Sequence, residues 1–288
     1  MSRVVRSLLL LGLVVGCRGR ADPAFVQLAE ARRLVAEMRV GFAKTSDASD
    51  RAVLADTDAE SEKFAREAEL SADGVQAGGM KLAGRLADLG NHDDAALLSS
   101  FQERFARYRA LDRQILALAV ENTNLKAQGL SFGPVRRAAD DLCAALDAVV
   151  AAAPPADRCR KGELASRAKL AIREIQILQA PHIAESRNAE MDRLEKEMAA
   201  RQNSARTALG SLAAGARAAA RAPLDRAKAA LDEFDRASRE LVALSRTNSN
   251  VRSLDLVLRQ KPALTTACDE SLASLEAALG KEGFSGTR

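Results

Sequence analysis

The chain has 288 residues, with 43 basic against 39 acidic side chains and a formal charge of +4, and it contains one Tyr and no Trp. So small a net charge gives no electrostatic case for a nucleic-acid partner. Abundant Ala, Leu, Arg and Glu favour helix, strand signals are nearly absent, and the composition predicts an all-α fold.

Arg3 and Arg6 precede an apolar run of ten, Ser7 to Gly16 (SLLLLGLVVG), which is followed by Cys17. A bilayer core of about 30 Å needs about 20 apolar residues, so the run is too short to span and has the form of a secretory signal. "LVVGC" resembles the lipobox of bacterial lipoproteins. The resemblance implies cleavage before Cys17, acylation of its thiol and attachment to a membrane face. An ordinary signal peptide containing a Cys is the other reading. Arg18 stands where the enteric inner-membrane retention signal has Asp, which points to the outer membrane.

Helices are predicted over 23–54, 58–89, 92–120 and 125–151, from apolar residues at three- and four-residue steps. The breaks between them carry turn chemistry: "ADTDAES" at 55–61, "LGNHDD" at 89–94 and "ENTN" at 121–124. "GLSFG" at 129–133 is a local kink. "AAPPAD" at 152–157 forbids a continuous helix. The second half repeats the first. "RQILALAVENTNLKA" (113–127) answers "RELVALSRTNSNVRS" (239–253), and Glu60/Ser61 and Gly90 meet Glu185/Ser186 and Gly215. Duplication is the better account of two ordered matches. The expected organisation is a signal peptide (1–16), a lipidated Cys and tether (17–22), bundle 1 (23–152), a Pro-rich linker (153–157), bundle 2 (158–279) and a flexible tail (280–288). Two tandem up-down four-helix bundles follow, side by side because the short linker lets the second start beside the first, with two bundles stacked end to end as the alternative.

"VLADTDAESEKFA", "ILALAVENTNLKAQGLSFGP" and "LVALSRTNSNVRSLDLVL" resemble the four-helix-bundle sensor domain of methyl-accepting chemotaxis receptors. That family also has two membrane spans and a cytoplasmic signalling coiled coil, which have no counterpart here. The resemblance implies a parallel pair of bundles, here fused into one chain as a monomeric pseudo-dimer. It also implies a small carboxylate or amino acid held by Arg side chains. Arg32, Arg33 and Arg39 on the first helix and Arg167 and Arg173 on the fifth are the candidates, against a plain solvated helix face. Asn122, Asn124, Asn248 and Asn250 are read as helix caps, with a polar binding surface as the alternative.

No phosphate loop, nucleophile elbow or H-E-x-x-H motif occurs, so neither enzyme activity nor a cofactor is expected. His92, beside Asp93 and Asp94, is read as part of a capping turn and not as a metal ligand. Cys143, Cys159 and Cys268 match no metal spacing and are read as small buried residues, though the compartment permits a disulfide. Two functions remain. One is an envelope lipoprotein whose sensor-like bundles bind a small polar solute or a partner receptor. The other is a structural spacer that docks other envelope proteins and binds no small molecule.

Overall fold

The structure, a computed structural model, describes residues 23–214 and 216–285, and these are helical apart from short turns. The signal run, Cys17 and Gly215 lie outside the described residues. In chain order the helices are α1 (Pro23–Val53), α2 (Asp58–Asp88), α3 (His92–Glu121), α4 (Thr123–Leu130), α5 (Arg136–Ala151), α6 (Pro155–Ala184), α7 (Asn188–Ala213), α8 (Ala218–Thr247), α9 (Ser249–Arg259) and α10 (Lys261–Ser285). α10 thus continues into the segment expected as a tail. Among the described residues no helix is long and apolar enough to cross a membrane.

Local chemistry sets most boundaries. Thr57 Oγ1 accepts from the Glu60 amide at 3.2 Å and Asn91 Oδ1 from the Asp94 amide at 3.0 Å, so each caps the helix it precedes. Gly90, at φ +67°, makes the left-handed step that ends α2. The expected kink is a π turn, Ser131–Val135, joining α4 to α5 and accommodating Pro134, which has no N–H to give. Pro155 starts α6 at a position where its missing N–H costs nothing.

Two connections differ from the rest. α3 joins α4 through Asn122 alone, and α8 joins α9 through Asn248 alone. Both residues are left-handed, at φ 48° and 56°, a conformation Asn tolerates better than other side chains. Packed helices lie 8–10 Å apart and one residue advances the chain by only about 3.8 Å. A one-residue connection therefore cannot fold α4 back against α3. Each helix instead leads onward into the other bundle.

Bundle 1 is accordingly α1, α2, α3 and α10, and bundle 2 is α5, α6, α7 and α8. The cores follow the same division. Phe42, Leu82, Phe101, Phe105 and Tyr108 pack with Leu272, Leu275 and Leu279 of α10. Leu142, Leu146 and Val149 of α5 pack with Ile172, Leu209 and Leu231. This corrects the contiguous units 23–152 and 158–279: the fourth helix of each half is exchanged. It also corrects the side-by-side placement, because α1 and α2 share no packed face with α5–α8 and the bundles meet at the crossover.

The repeated Asn-x-Asn phrases close that crossover reciprocally. The Thr123 amide donates to Ser249 Oγ at 3.1 Å, and the Ser249 amide donates to Thr123 Oγ1 at 3.0 Å. The Asn124 amide donates to Asn250 Oδ1 at 3.1 Å, and the Asn250 amide to Asn124 Oδ1 at 3.2 Å. Asn124 Nδ2 reaches Asn248 Oδ1 and Asn250 Nδ2 reaches Asn122 Oδ1, each at 2.8 Å. A helix start usually leaves its first amides to its own capping side chain. Here the first amides of α4 and α9 are met by side chains of the opposite helix, Asn124 and Asn250 among them. Asn122 and Asn248 instead accept only from Asn side chains. Asn124 Nδ2 also donates to Ile183 O and Asn248 Nδ2 to Glu185 O, tying α6 to the same knot.

Buried positions recur at the 126-residue offset seen in the Thr123–Ser249 pair. Phe105, Tyr108 and Leu146 of the first half correspond to Leu231, Phe234 and Leu272 of the second. α1 and α6 are offset by 161 − 31 = 130, because the α6–α7 connection is one helical turn shorter. The identity of Ser61 with Ser186 is therefore not a structural equivalence: Ser61 is buried, its hydroxyl on Ala52 O, while Ser186 is exposed.

Asn124→Ala should lower the unfolding free energy by about 3 kcal/mol in urea titrations, since it strands the Asn250 amide, Asn248 Oδ1 and Ile183 O. Combined with Asn250→Ala the loss should fall short of the sum, because the two share bonds. Additive effects would show that the knot does not act as a unit.

Candidate functional site

The structure does not bring the five arginines together. Arg32 donates to the Leu279 and Gly280 carbonyls in the C-terminal part of α10. Arg33 pairs with Glu30 and Glu37, and Arg39 with Glu276. In the other bundle Arg167 pairs with Glu163 and Arg173 with Asp140. Each guanidinium is occupied, and the two sets belong to helices that do not pack on each other. A convergent arginine clamp for a carboxylate is absent among the described residues.

His92 opens α3 on the surface, as a capping-turn residue should. His182 is fully buried. Its Nδ1 lies 2.8 Å from Ser245 Oγ and its Nε2 2.9 Å from Glu195 Oε1. The residue types resemble a hydrolytic triad, but the Ser245 hydroxyl is buried and donates to the His182 carbonyl at 2.9 Å. The arrangement therefore fastens the end of α6 to α8. Burial alone would push the Glu195 carboxyl up, but hydrogen bonds from Arg246 and His182 outweigh it and hold the carboxyl below its usual range. Cys143, Cys159 and Cys268 are free thiols; Cys159 is exposed, Cys143 half-buried, and burial pushes the Cys268 thiol up to about 12. Among the described residues no three His, Cys, Asp or Glu side chains are grouped as metal ligands.

Two polar features lie inside the bundles, one in each. In bundle 1 Lys261 of α10 is buried, with Nζ 2.7 Å from Asp50 Oδ1, 3.1 Å from Ser46 O and 3.8 Å from Asp112 Oδ1. Ser49 Oγ donates to Asp112 Oδ1 at 2.5 Å. Lys261 Nζ also lies 5.9 Å from the centre of the Tyr108 ring, within cation–π range. Burial pushes the Asp112 carboxyl up against the opposing pull of Ser49 and Lys261, and burial beside Asp112 pushes the Tyr108 hydroxyl up. One ammonium thus faces two carboxyl groups inside bundle 1, and the Tyr108 hydroxyl beside them is buried without a hydrogen-bond partner.

Bundle 2 has a cavity of about 180 Å³ between α6, α7 and α8. Ile175, Met198, Phe234 and Val242 form its apolar wall, Asp235 and Glu195 its acidic wall, and exposed Arg239 stands at the rim. Asp235 is 2% exposed; Arg206 donates to its Oδ2, while its Oδ1 is buried with no hydrogen-bond partner. That oxygen is sealed from the cavity by the packing around it, just as the unmet Tyr108 hydroxyl in bundle 1 and Asn122 Nδ2 at the crossover are sealed. No sequence pattern marked Asp235. The signal available was its place at a core position of a helix whose other such positions are apolar.

A third feature lies on the surface at the crossover. Two clefts, of about 800 and 570 Å³, share Val251 and Leu254 of α9 and extend to Leu258 and to Phe132 of the π turn. Phe132 is 75% exposed and Leu258 67%, so apolar surface is concentrated there.

The buried cluster of bundle 1 makes a pH prediction. The folded-state carboxyl of Asp112 lies above its unfolded value, so the native state holds the extra proton between them. The Asp112 contribution therefore favours folding at the acidic end and is lost as pH rises through that window. Asp112→Asn should flatten this fall in unfolding free energy as pH rises above the ordinary aspartate range, measured in urea; an unchanged slope would refute the assignment. Lys261→Met, which leaves the carboxylates uncompensated, should cost about 3 kcal/mol at pH 7.

No family model matches the chain, and no curated protein matches it.

Proposed function

We propose that this protein is a membrane-tethered, extracytoplasmic helical module that binds a small polar solute in its second bundle. It would serve as a sensory or accessory component without enzymatic chemistry of its own. The tether rests on the signal-like run and Cys17. Solute binding rests on one observation: a cavity of about 180 Å³ between α6, α7 and α8 that is lined by the carboxyl-bearing residues Asp235 and Glu195 beside apolar Ile175, Met198 and Val242. The likeness to chemoreceptor sensor bundles agrees with this role. The structural reading, a spacer that docks an envelope protein, is favoured by the apolar crossover surface around Phe132, Leu254 and Leu258.

A thermal-shift panel of amino acids, dicarboxylates, sugars and amines on residues 18–288 separates the two. A specific solute at about 100 times its dissociation constant adds about 2.7 kcal/mol, a rise of several degrees for a body of this size. Silence across the panel would overturn solute binding and leave docking. For the tether, Cys17→Ala should release the protein from membranes and abolish incorporation of an alkyne-tagged fatty acid. Unchanged retention and labelling would refute acylation at Cys17.

A further inference from the structure

We propose that the end of bundle 2 farthest from the crossover docks on anionic phospholipid, its cations meeting the phosphate groups of the leaflet. This contact is separate from the solute cavity and does not depend on it.

Charge marks the place. α6 and α8 start at this end, and α5 and α7 finish there. Across residues 148–162, 207–214 and 216–224 the charged side chains are Arg158, Arg160, Lys161, Arg217 and Arg221, against Asp157 alone. Their net charge, 5 − 1 = 4, equals the +4 of the whole 288-residue chain. The rest of the chain therefore sums to zero, and the excess is collected here.

Bundle 1 has no such end. At the offsets that relate the two halves, Arg158, Arg160 and Lys161 correspond to Leu28, Glu30 and Ala31, and Arg217 and Arg221 to Asn91 and Ala95. Two of these changes alter the end itself. Ala31 is a fully buried core residue, whereas Lys161 in its place is 4% exposed. The polar atoms sealed without a partner are Tyr108 Oη, Asn122 Nδ2 and Asp235 Oδ1, so Lys161 Nζ reaches solvent. A helical side chain leans toward its own N-terminus, so the Lys161 stem is buried and its ammonium emerges on the end face. No described residue gives it a hydrogen bond or an ion pair, and the same holds for exposed Arg160, Arg217 and Arg221. Arg158 donates to Ala153 O at 3.4 Å.

The second change is at a helix start. Asn91 caps α3, its Oδ1 accepting from the Asp94 amide. α8 begins after Arg217 with no side-chain cap, and α6 begins after Pro154 with none. Two positive helix ends with amides to give thus stand among the cations, an arrangement that takes phosphate. α6 packs chiefly on α7 and α8 chiefly on α5, and even neighbouring helices lie 8–10 Å apart. A single phosphate does not meet both helix starts together, whereas a leaflet presents one to each. The signal-like run Ser7–Gly16 favours lipid over nucleic acid as the source of repeated phosphates.

The position suits a second membrane contact. Val53, which ends α1, lines the crossover cleft with Asn124. Pro23, where the tether enters α1, is therefore remote from the crossover by about 45 Å. The tether and the basic end occupy opposite extremities.

The test is co-sedimentation of the 18–288 protein, which contains every described residue and lacks Cys17, with vesicles of phosphatidylcholine alone or mixed with phosphatidylglycerol. Binding should require phosphatidylglycerol and fall as salt rises. Arg217→Gln with Arg221→Gln should weaken it about tenfold or more. Lys161→Leu puts an apolar side chain at a core position, so it should keep the fold and weaken binding about fivefold. Lys81→Gln with Arg113→Gln removes the same charge as the first pair from exposed positions of bundle 1 and should leave binding unchanged. No binding to either vesicle, binding to phosphatidylcholine alone, or equal weakening by the bundle 1 pair would overturn the proposal. Glycerol 3-phosphate should not displace the protein from vesicles, and a short DNA duplex should bind more weakly than phosphatidylglycerol. Displacement would reassign the end to a soluble phosphate, and equal DNA binding to a nucleic acid; either result refutes the lipid.

Discussion

The architecture depends on the shortness of two connections. At the α1–α2, α2–α3, α5–α6, α6–α7 and α7–α8 connections three or four residues separate the helices, enough to reverse the chain and pack it antiparallel. α9 runs into α10 through Gln260 alone, in right-handed backbone. At Asn122 and Asn248 there is one residue, and it is left-handed. A chain that cannot turn back must deliver its next helix elsewhere, and the nearest bundle lacking a fourth helix is the one built by the other half. The exchange is thus a steric consequence of linker length. Once it is made, the N-termini of α4 and α9 lie side by side with unmet amides, and the Thr/Ser and Asn side chains at the repeated positions supply what each helix start lacks. The symmetry is incomplete: Asn248 Nδ2 finds Glu185 O, whereas Asn122 Nδ2 is buried without a partner.

Much of this was legible in the sequence and the exchange was not. Helix ends at Gly90, Thr57 and Pro155 are written in residue types whose backbone preferences are local. The duplication is written in "ENTN" and "TNSN". Which bundle a fourth helix joins is not local. Leu142, Leu146 and Val149 of α5 recur as Cys268, Leu272 and Leu275 of α10, so either helix presents a similar stripe to either bundle. Only the linker decides, and "ENTN" looks like a four-residue turn until the φ of Asn122 makes it one residue. The arginines failed as a site for a related reason. Arg33 and Arg167 have carboxylates one turn away on their own helices, so proximity in sequence had already claimed them. The cavity was illegible because it needs Ala199, Gln202 and Asp235 to be neighbours, a pairing between helices that periodicity does not give.

The two bundles share a plan and differ in how they fill it. Bundle 1 stacks Phe101, Phe105 and Tyr108 against Phe42, whereas Phe101 and Phe105 are answered in bundle 2 by Ala227 and Leu231. Less side-chain volume on the same frame leaves room, and close packing normally removes such room at a gain in stability. Its persistence beside a buried carboxylate distinguishes it from a simple packing defect, which would be apolar and dry.

The position of the cavity also ties it to the crossover. Glu195 lines the cavity and accepts from His182, and the next residue along α6, Ile183, offers its carbonyl to Asn124. Charge placed against Glu195 therefore lies two hydrogen bonds and one peptide step from the knot that holds both bundles. Contiguity of this kind is not itself coupling, which requires an element with two arrangements that both ends bias. The crossover has the composition such an element needs, two strained left-handed residues held by reciprocal hydrogen bonds. Through those bonds a change in one bundle meets the helices of the other without crossing water. An influence of bundle 2 on bundle 1 has a direct route through this crossover, where α4 and α9 pack on each other, while α1 and α2 share no packed face with α5–α8.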